Sequence, residues 1–259
     1  GVAFERRPAV TWAETPEGKG VSFVTSYGAS GDQSRAVVSG LAADYVHFSV
    51  SSDVTRLVDN DLVAEDWNAG PNKGIVSTSV VVFGVRKGNP ENIKTWDDLI
   101  KPGVDIVTPN PASSGAARWN ALAAYGQVIA NGGSEDDAAE YLEKFFANVV
   151  ALPGSGRDAT TAFINGTGDV LMAYENEAIL AAQNGQGFDY IIPDTTLLIE
   201  NPGAVLKDAN PKAQAWLDFV LGPEGQRQFA LKGFRPLEGV DVEVDEVPGA
   251  KDPKNPYPA

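Results

Sequence analysis

Six short runs of the chain carry the period-two or continuous apolar pattern of strands: VSFVTS (21–26), DYVHFS (44–49), STSVVVFGVR (77–86), VDIVT (104–108), DVLMAY (169–174) and DYIIP (189–193). Helical periods lie between them. After Ser134-Glu135-Asp136-Asp137, the residues Ala138, Tyr141, Leu142, Phe145 and Phe146 recur at i, i+3, i+4, i+7 and i+8. Asn110-Pro111-Ala112-Ser113-Ser114 leads into a helix carrying Trp119, Leu122 and Ala123, which ends at Asn131-Gly132-Gly133. Asn210-Pro211 opens another, with Trp216, Phe219 and Val220 before Gly222. Strands alternating with helices predict an α/β protein with mainly parallel sheets, whose ligands bind at the carboxyl ends of strands.

Three loops within this alternation carry candidate chemistry: Tyr27 to Gln33 (YGASGDQ), Ala112 to Arg118 (ASSGAAR) and Pro153 to Thr160 (PGSGRDAT). Each follows a strand pattern, consists largely of Gly, Ser and Ala, and runs into a helical pattern. Small residues let a ligand approach the backbone, and the first turn of a helix offers amides that have no internal partner. With the helix dipole these amides form an anion site that needs no cationic side chain. No loop fits a Walker phosphate loop, because no Gly-Lys-Ser/Thr follows Gly115 or Gly156. Gly28-Ala29-Ser30-Gly31 is one residue short of a nucleophile elbow.

Composition narrows the function further. A length of 259 residues suits one large domain or two lobes. Asp plus Glu total 35 against 20 Lys plus Arg, a net charge of −15, which argues against nucleic acid as a partner. No apolar run approaches the ~18 residues of a membrane span, so direct membrane insertion is not expected. The absence of cysteine removes disulfides, thiolate metal sites and thiol nucleophiles, and is compatible with an exported protein. The only histidine, His47, lies in a strand pattern and reads as structural, so a Ser-His-Asp triad or a multi-imidazole metal site is not expected. No cofactor, no metal and no enzymatic activity are expected. The opening GVAFERRPAV lacks a basic n-region and an apolar h-region, which reads as a leader removed or a chain trimmed. From Val240 onward the chain is acidic and then Pro-rich, an extended tail.

The loops and their surroundings resemble the periplasmic sulfate-binding proteins of ABC sulfate/thiosulfate importers, members of the type II periplasmic binding proteins. The resemblance rests on SYGASGDQSRAV (26–37), DVTRLVDNDLVAEDW (53–67), VVFGVRKGNP (81–90), KTWDDLIKPGVDIVTPNPASSGAARWNALAAYG (94–126), GRDATTAF (156–163), GDVLMAYENEAIL (168–180), GPEGQ (222–226) and GFRP (233–236). It implies two α/β lobes joined by a hinge, lobe I from residues 1–84 and 196–259 and lobe II from 85–195, closing on a desolvated sulfate. By motif, the implied donors are the amide of Ser30, the hydroxyl and amide of Ser114, the amides of Gly115, Ala116 and Gly156, and the hydroxyl of Tyr174. It also implies a monomer outside the cytoplasmic membrane, in the periplasm or tethered through a lipid in its precursor, that delivers sulfate or thiosulfate to ABC permease subunits.

The sequence departs from the family at three places. Tyr174 stands where the family often has Trp, and Ala116 where Gly is common. Only residues 5–20 separate a GVAF strand from VSFVTS, so the first-lobe donor falls near Glu5 or Arg6 or is lacking. A pocket made only of donors suits a dianion without a proton, and leaves the O–H of hydrogen phosphate unpartnered at a cost of ~1–3 kcal/mol. Asp32 and Asp158 are the acceptors whose orientation would alter that selectivity, unless both serve the first turns of their helices. Arg118 and Arg157 either pair carboxylates bordering the pocket or lie on a solvated face. Three other readings stand beside the main one: another oxyanion (thiosulfate, molybdate or phosphate), a hydrolase of sulfate or phosphate esters using Ser30 or Ser114 with Asp32 or Glu175 as base, and a scaffold that has lost its site.

Overall fold

The computed structural model describes residues 6–257, and the GVAF segment and Glu5 lie outside the described residues. In chain order the elements are α1 (Arg6–Ala13), α2 (Ser30–Val38), β1 (Tyr45–His47), α3 (Ser51–Asp59), β2 (Ile75–Arg86), α4 (Trp96–Leu99), β3 (Ile106–Val107), α5 (Gly115–Ala130), α6 (Glu135–Ala147), β4 (Val149–Ala151), α7 (Gly156–Ile164), β5 (Val170–Tyr174), α8 (Glu175–Gln183), β6 (Phe188–Ile191), β7 (Leu198–Val205), α9 (Lys212–Leu221) and α10 (Pro223–Ala230). The chain forms two compact units. Unit one holds residues 1–78, 200–247 and 252–259, and unit two holds 79–199 and 248–251.

In unit one, β1 pairs antiparallel with β7, with His47 opposite Gly203. Gly203 is required by crowding: a Cβ there would lie 2.5 Å from Tyr45 Oη and 2.8 Å from Val76 Cγ1. Val37, Val46, Phe48, Val54, Leu57, Val63 and Ala204 close a core between this ribbon, α2 and α3. His47 is buried, with Nε2 3.1 Å from Ser77 Oγ and its ring edge-on to Phe229, which is the structural role its strand pattern predicts. Gln226 is fully buried on α10 and donates from Nε2 to the carbonyls of Val76 and Val220, both at 2.8 Å, while its Oε1 accepts the Leu237 amide.

Unit two places β3 between β4 and β5, parallel to both, and β2 antiparallel to β5 and to β6. The α/β class therefore holds, but the sheet is mixed. Parallel pairing is confined to β4–β3–β5, where strand-to-helix crossovers force it. β2 is buried along almost its whole length, with the apolar run Val80–Val85 following the buried polar Ser77, Thr78 and Ser79. Phe83, Trp96, Leu99, Ile106, Phe145 and Met172 centre the core against α5 and α6.

The helix signals read from the sequence hold. Ser134 caps α6 in a reciprocal box with Asp137, α5 ends at Asn131, and α9 ends at Gly222. VSFVTS is a correction: residues 21–26 form no strand, and Val24 is fully exposed. Phe23 instead packs edge-on to Trp12 and Trp216, and α1 occupies part of the stretch between residues 5 and 20. β4 and β7 are additions that the apolar patterns do not disclose, because β4 is three residues long and β7 contains Asn201-Pro202-Gly203.

Candidate functional site

Each parallel strand of unit two is followed directly by a helix that starts at its carboxyl end: β3 by α5, β4 by α7 and β5 by α8. The three N-termini therefore gather at one edge of the sheet, the carboxyl edge at which open α/β sheets bind their ligands. Gly115, Ala116 and Ala117 open α5, Gly156 and Arg157 open α7, and Glu175 and Asn176 open α8. First-turn amides have no intrahelical acceptor, and each N-terminus carries about half a positive charge.

Hydrogen bonds draw the α5 and α7 entrances together. Asn110 N donates to Pro153 O at 2.7 Å, and Ser113 Oγ donates to Gly154 O at 2.6 Å. A Cβ built on Gly156 would lie 3.5 Å from the Ala116 methyl, so the first turns of the two helices leave room for about one methyl group between them. Asn120 Nδ2 donates to Thr108 Oγ1 and to Met172 O, tying α5 to the ends of β3 and β5. Arg157 bridges α7 to α8 through an ion pair with Glu177.

Ser114 is the buried N-cap of α5, and its side chain caps no amide of the helix. Its own amide donates to Asn110 O at 2.8 Å. Gly115 and Ala116 follow it in the first turn of α5. Tyr174 ends β5, opposite Val81 on β2, and is the buried N-cap of α8. Ser30 occupies the first turn of α2 in unit one, also buried.

The two watched carboxylates serve helix ends. Asp158 accepts the Ser155 hydroxyl at 2.8 Å, while the Asp158 amide donates to Ser155 Oγ, and Asp32 pairs with Arg35. Arg118 Nε donates to Pro111 O at 3.3 Å. Sequence reading passed over Asp53, which is fully buried and accepts the Ser30 hydroxyl at 2.5 Å. It is 23 residues from Ser30 in sequence, and no local pattern signals that contact.

Among the described residues no group of His, Cys, Asp and Glu is arranged to hold a metal ion, and no helix is long and apolar enough to cross a membrane.

The profile of a family described as bacterial extracellular solute-binding protein matches residues 8–235. The chain belongs to this family. This solute-binding protein is similar to the sulfate-binding protein of Synechococcus elongatus, with 43% identity over 91% of the chain and 70% of that relative. It is 40% identical to the thiosulfate-binding protein of Pseudomonas aeruginosa, over 85% of the chain and 70% of the relative. Among solved structures, the sulfate-binding protein SubI from Mycobacterium tuberculosis H37Rv superposes with a TM-score of 0.87 at 43% identity, covering 89% of this chain and 82% of that one.

Proposed function

We propose that this protein captures sulfate or thiosulfate outside the cytoplasmic membrane and delivers it to the permease subunits of an ABC importer, acting as a monomer and without catalysis. One observation carries the reading: hydrogen bonds from Asn110 N to Pro153 O and from Ser113 Oγ to Gly154 O hold the entrances of α5 and α7 together at the carboxyl edge of the parallel strands. That edge supplies amides, the Ser114 hydroxyl and the Tyr174 phenol. The α2 entrance at Ser30 is proposed as a further donor, and the lobes assigned from sequence (1–84 with 196–259, and 85–195) as the functional halves. The first-lobe donor expected near Glu5 or Arg6 is not assigned.

A donor-only pocket favours an oxyanion that brings no proton of its own, because an O–H buried without an acceptor loses its hydrogen bond to water. Sulfate and thiosulfate meet this condition at neutral pH and hydrogen phosphate does not. Names and similarity of the sulfate- and thiosulfate-binding relatives support the same choice.

The test is thermal unfolding of the full chain with millimolar sulfate, thiosulfate, phosphate or molybdate, after dialysis to remove anion carried through purification. A ligand at ~1,000 times its Kd adds about 4 kcal/mol of stability. A rise in midpoint with sulfate or thiosulfate and none with phosphate supports the reading. A response to phosphate alone, or to no oxyanion, rejects it. Ser114→Ala should weaken binding by about tenfold, the effect of losing one hydrogen bond to a charged ligand.

A further inference from the structure

The Ser30 hydroxyl is already committed. Its Oγ donates to Asp53 Oδ2 at 2.5 Å and accepts the Ser49 amide at 3.1 Å. Asp53, in the first turn of α3, has no solvent exposure. Its other carboxylate oxygen accepts Arg56 Nη1 at 3.0 Å. The same Nη1 reaches Ser34 Oγ at 2.9 Å, and the Ser34 hydroxyl donates to the Asp53 main-chain oxygen at 2.7 Å. One carboxylate and its own peptide group thus hold two successive turns of α2, at Ser30 and Ser34.

Charge alone makes this arrangement a poor one for a protein that takes up anions. A buried carboxylate one hydrogen bond away from a helix entrance opposes a negative ligand there, and the partly exposed Arg56 offsets it. The carboxylate is nevertheless the strongest acceptor with which a serine hydroxyl can be fixed, and fixing the hydroxyl fixes the amide of the same residue.

We infer that Asp53 is a positioning residue of the anion site: it turns the Ser30 hydroxyl inward and sets the first turn of α2 so that only main-chain N–H groups face the ligand. The inference rests on the sulfate-binding reading above. Ser30 then contributes to the ligand through its amide alone, in contrast to Ser114, whose hydroxyl caps nothing.

Calorimetric titration of the full chain with sodium sulfate tests this, comparing the natural protein with Asp53→Asn, Ser30→Ala and the double variant. Circular dichroism and the sulfate-free midpoint are measured on each. Each single variant should weaken sulfate binding about tenfold, and the double variant should be no more than about twofold worse than the weaker single, because both remove one device. An effect of charge alone would tighten binding in Asp53→Asn, and a role in folding alone would lower the sulfate-free midpoint with Kd unchanged. Either result overturns the inference, as do losses that multiply in the double variant. If Asp53→Asn does not fold, Ser30→Ala decides: a tenfold loss supports the inference and an unchanged Kd rejects it. Absence of sulfate binding by the natural protein defeats the reading above, and this inference with it.

Discussion

Arg157 Nη2 lies 2.9 Å from Glu177 Oε1, joining the first turn of α7 to the first turn of α8. The second oxygen of Glu177, Oε2, is buried and takes no hydrogen bond among the described residues. The arginine is therefore the group that neutralises a carboxylate held among the proposed anion donors. Arg157→Ala should weaken sulfate binding by about three- to tenfold at low ionic strength and by less at high salt, since the side chain is partly exposed and the field is screened. Glu177→Gln should shift affinity the other way. Equal Kd values for Arg157→Ala and the natural protein at low salt would place the pair outside the field felt by the anion.

The narrow space between Gly156 and Ala116 sets a size limit rather than a conformational one. A methyl group added at Gly156 would meet the Ala116 methyl at 3.5 Å, an ordinary van der Waals distance, and Gly156 is absent from the glycines with positive φ. Gly156→Ala should leave the sulfate Kd within about threefold and stability within ~1 kcal/mol. Gly156→Val should abolish binding, because a branched side chain needs the space of the Ala116 methyl. Titration of both variants checks the contrast, and equal loss in the two would contradict it.

Asp98 gives unit two an acid-sensitive joint. Burial pushes its carboxyl upward, but the Lys101 ammonium at 2.5 Å and the Thr95 and Lys94 amides outweigh that and hold it at about 2, below the ordinary 3.8. A depressed native pKa means that the ionised group stabilises the fold above pH 3.8 and that this contribution disappears as pH falls through about 2. Urea denaturation should therefore show stability declining between about pH 4 and pH 2. Asp98→Asn should lower neutral-pH stability by ~1–2 kcal/mol and flatten that acid limb, since the capping box on α4 is lost with the charge.

Arg86 closes the far end of α7. Its guanidinium donates to the carbonyls of Phe163, Thr167 and Gly168 and lies 3.9 Å from the centroid of the Phe163 ring. A lysine cannot reproduce a planar fork over three acceptors, so Arg86→Lys should cost ~2–3 kcal/mol, measured as a lower urea midpoint with an unchanged slope. A loss below ~0.5 kcal/mol would show that water satisfies the three carbonyls equally well.

Local chemistry made part of this architecture readable in advance. Ser134 with Asp137, and the small residues ahead of Gly115 and Gly156, act within one helical turn, so their meaning survives in the one-dimensional string. VSFVTS misleads because alternation records which face is apolar and not whether a neighbouring strand is present to accept the backbone. β7 was hidden for the opposite reason: Pro202 and Gly203 read as a break, yet the proline carbonyl accepts the Phe48 amide and the glycine admits the Tyr45 hydroxyl and Val76. Asp53 and Arg86 act across separations of 23 to 82 residues, which no spacing rule detects.

The gathering of α5, α7 and α8 at one sheet edge has a cost when the edge holds no anion. Three positive dipole ends at short range repel one another, and water relieves that repulsion only in part. The ligand-free protein is then the frustrated partner of the pair and the anion is its missing counter-charge.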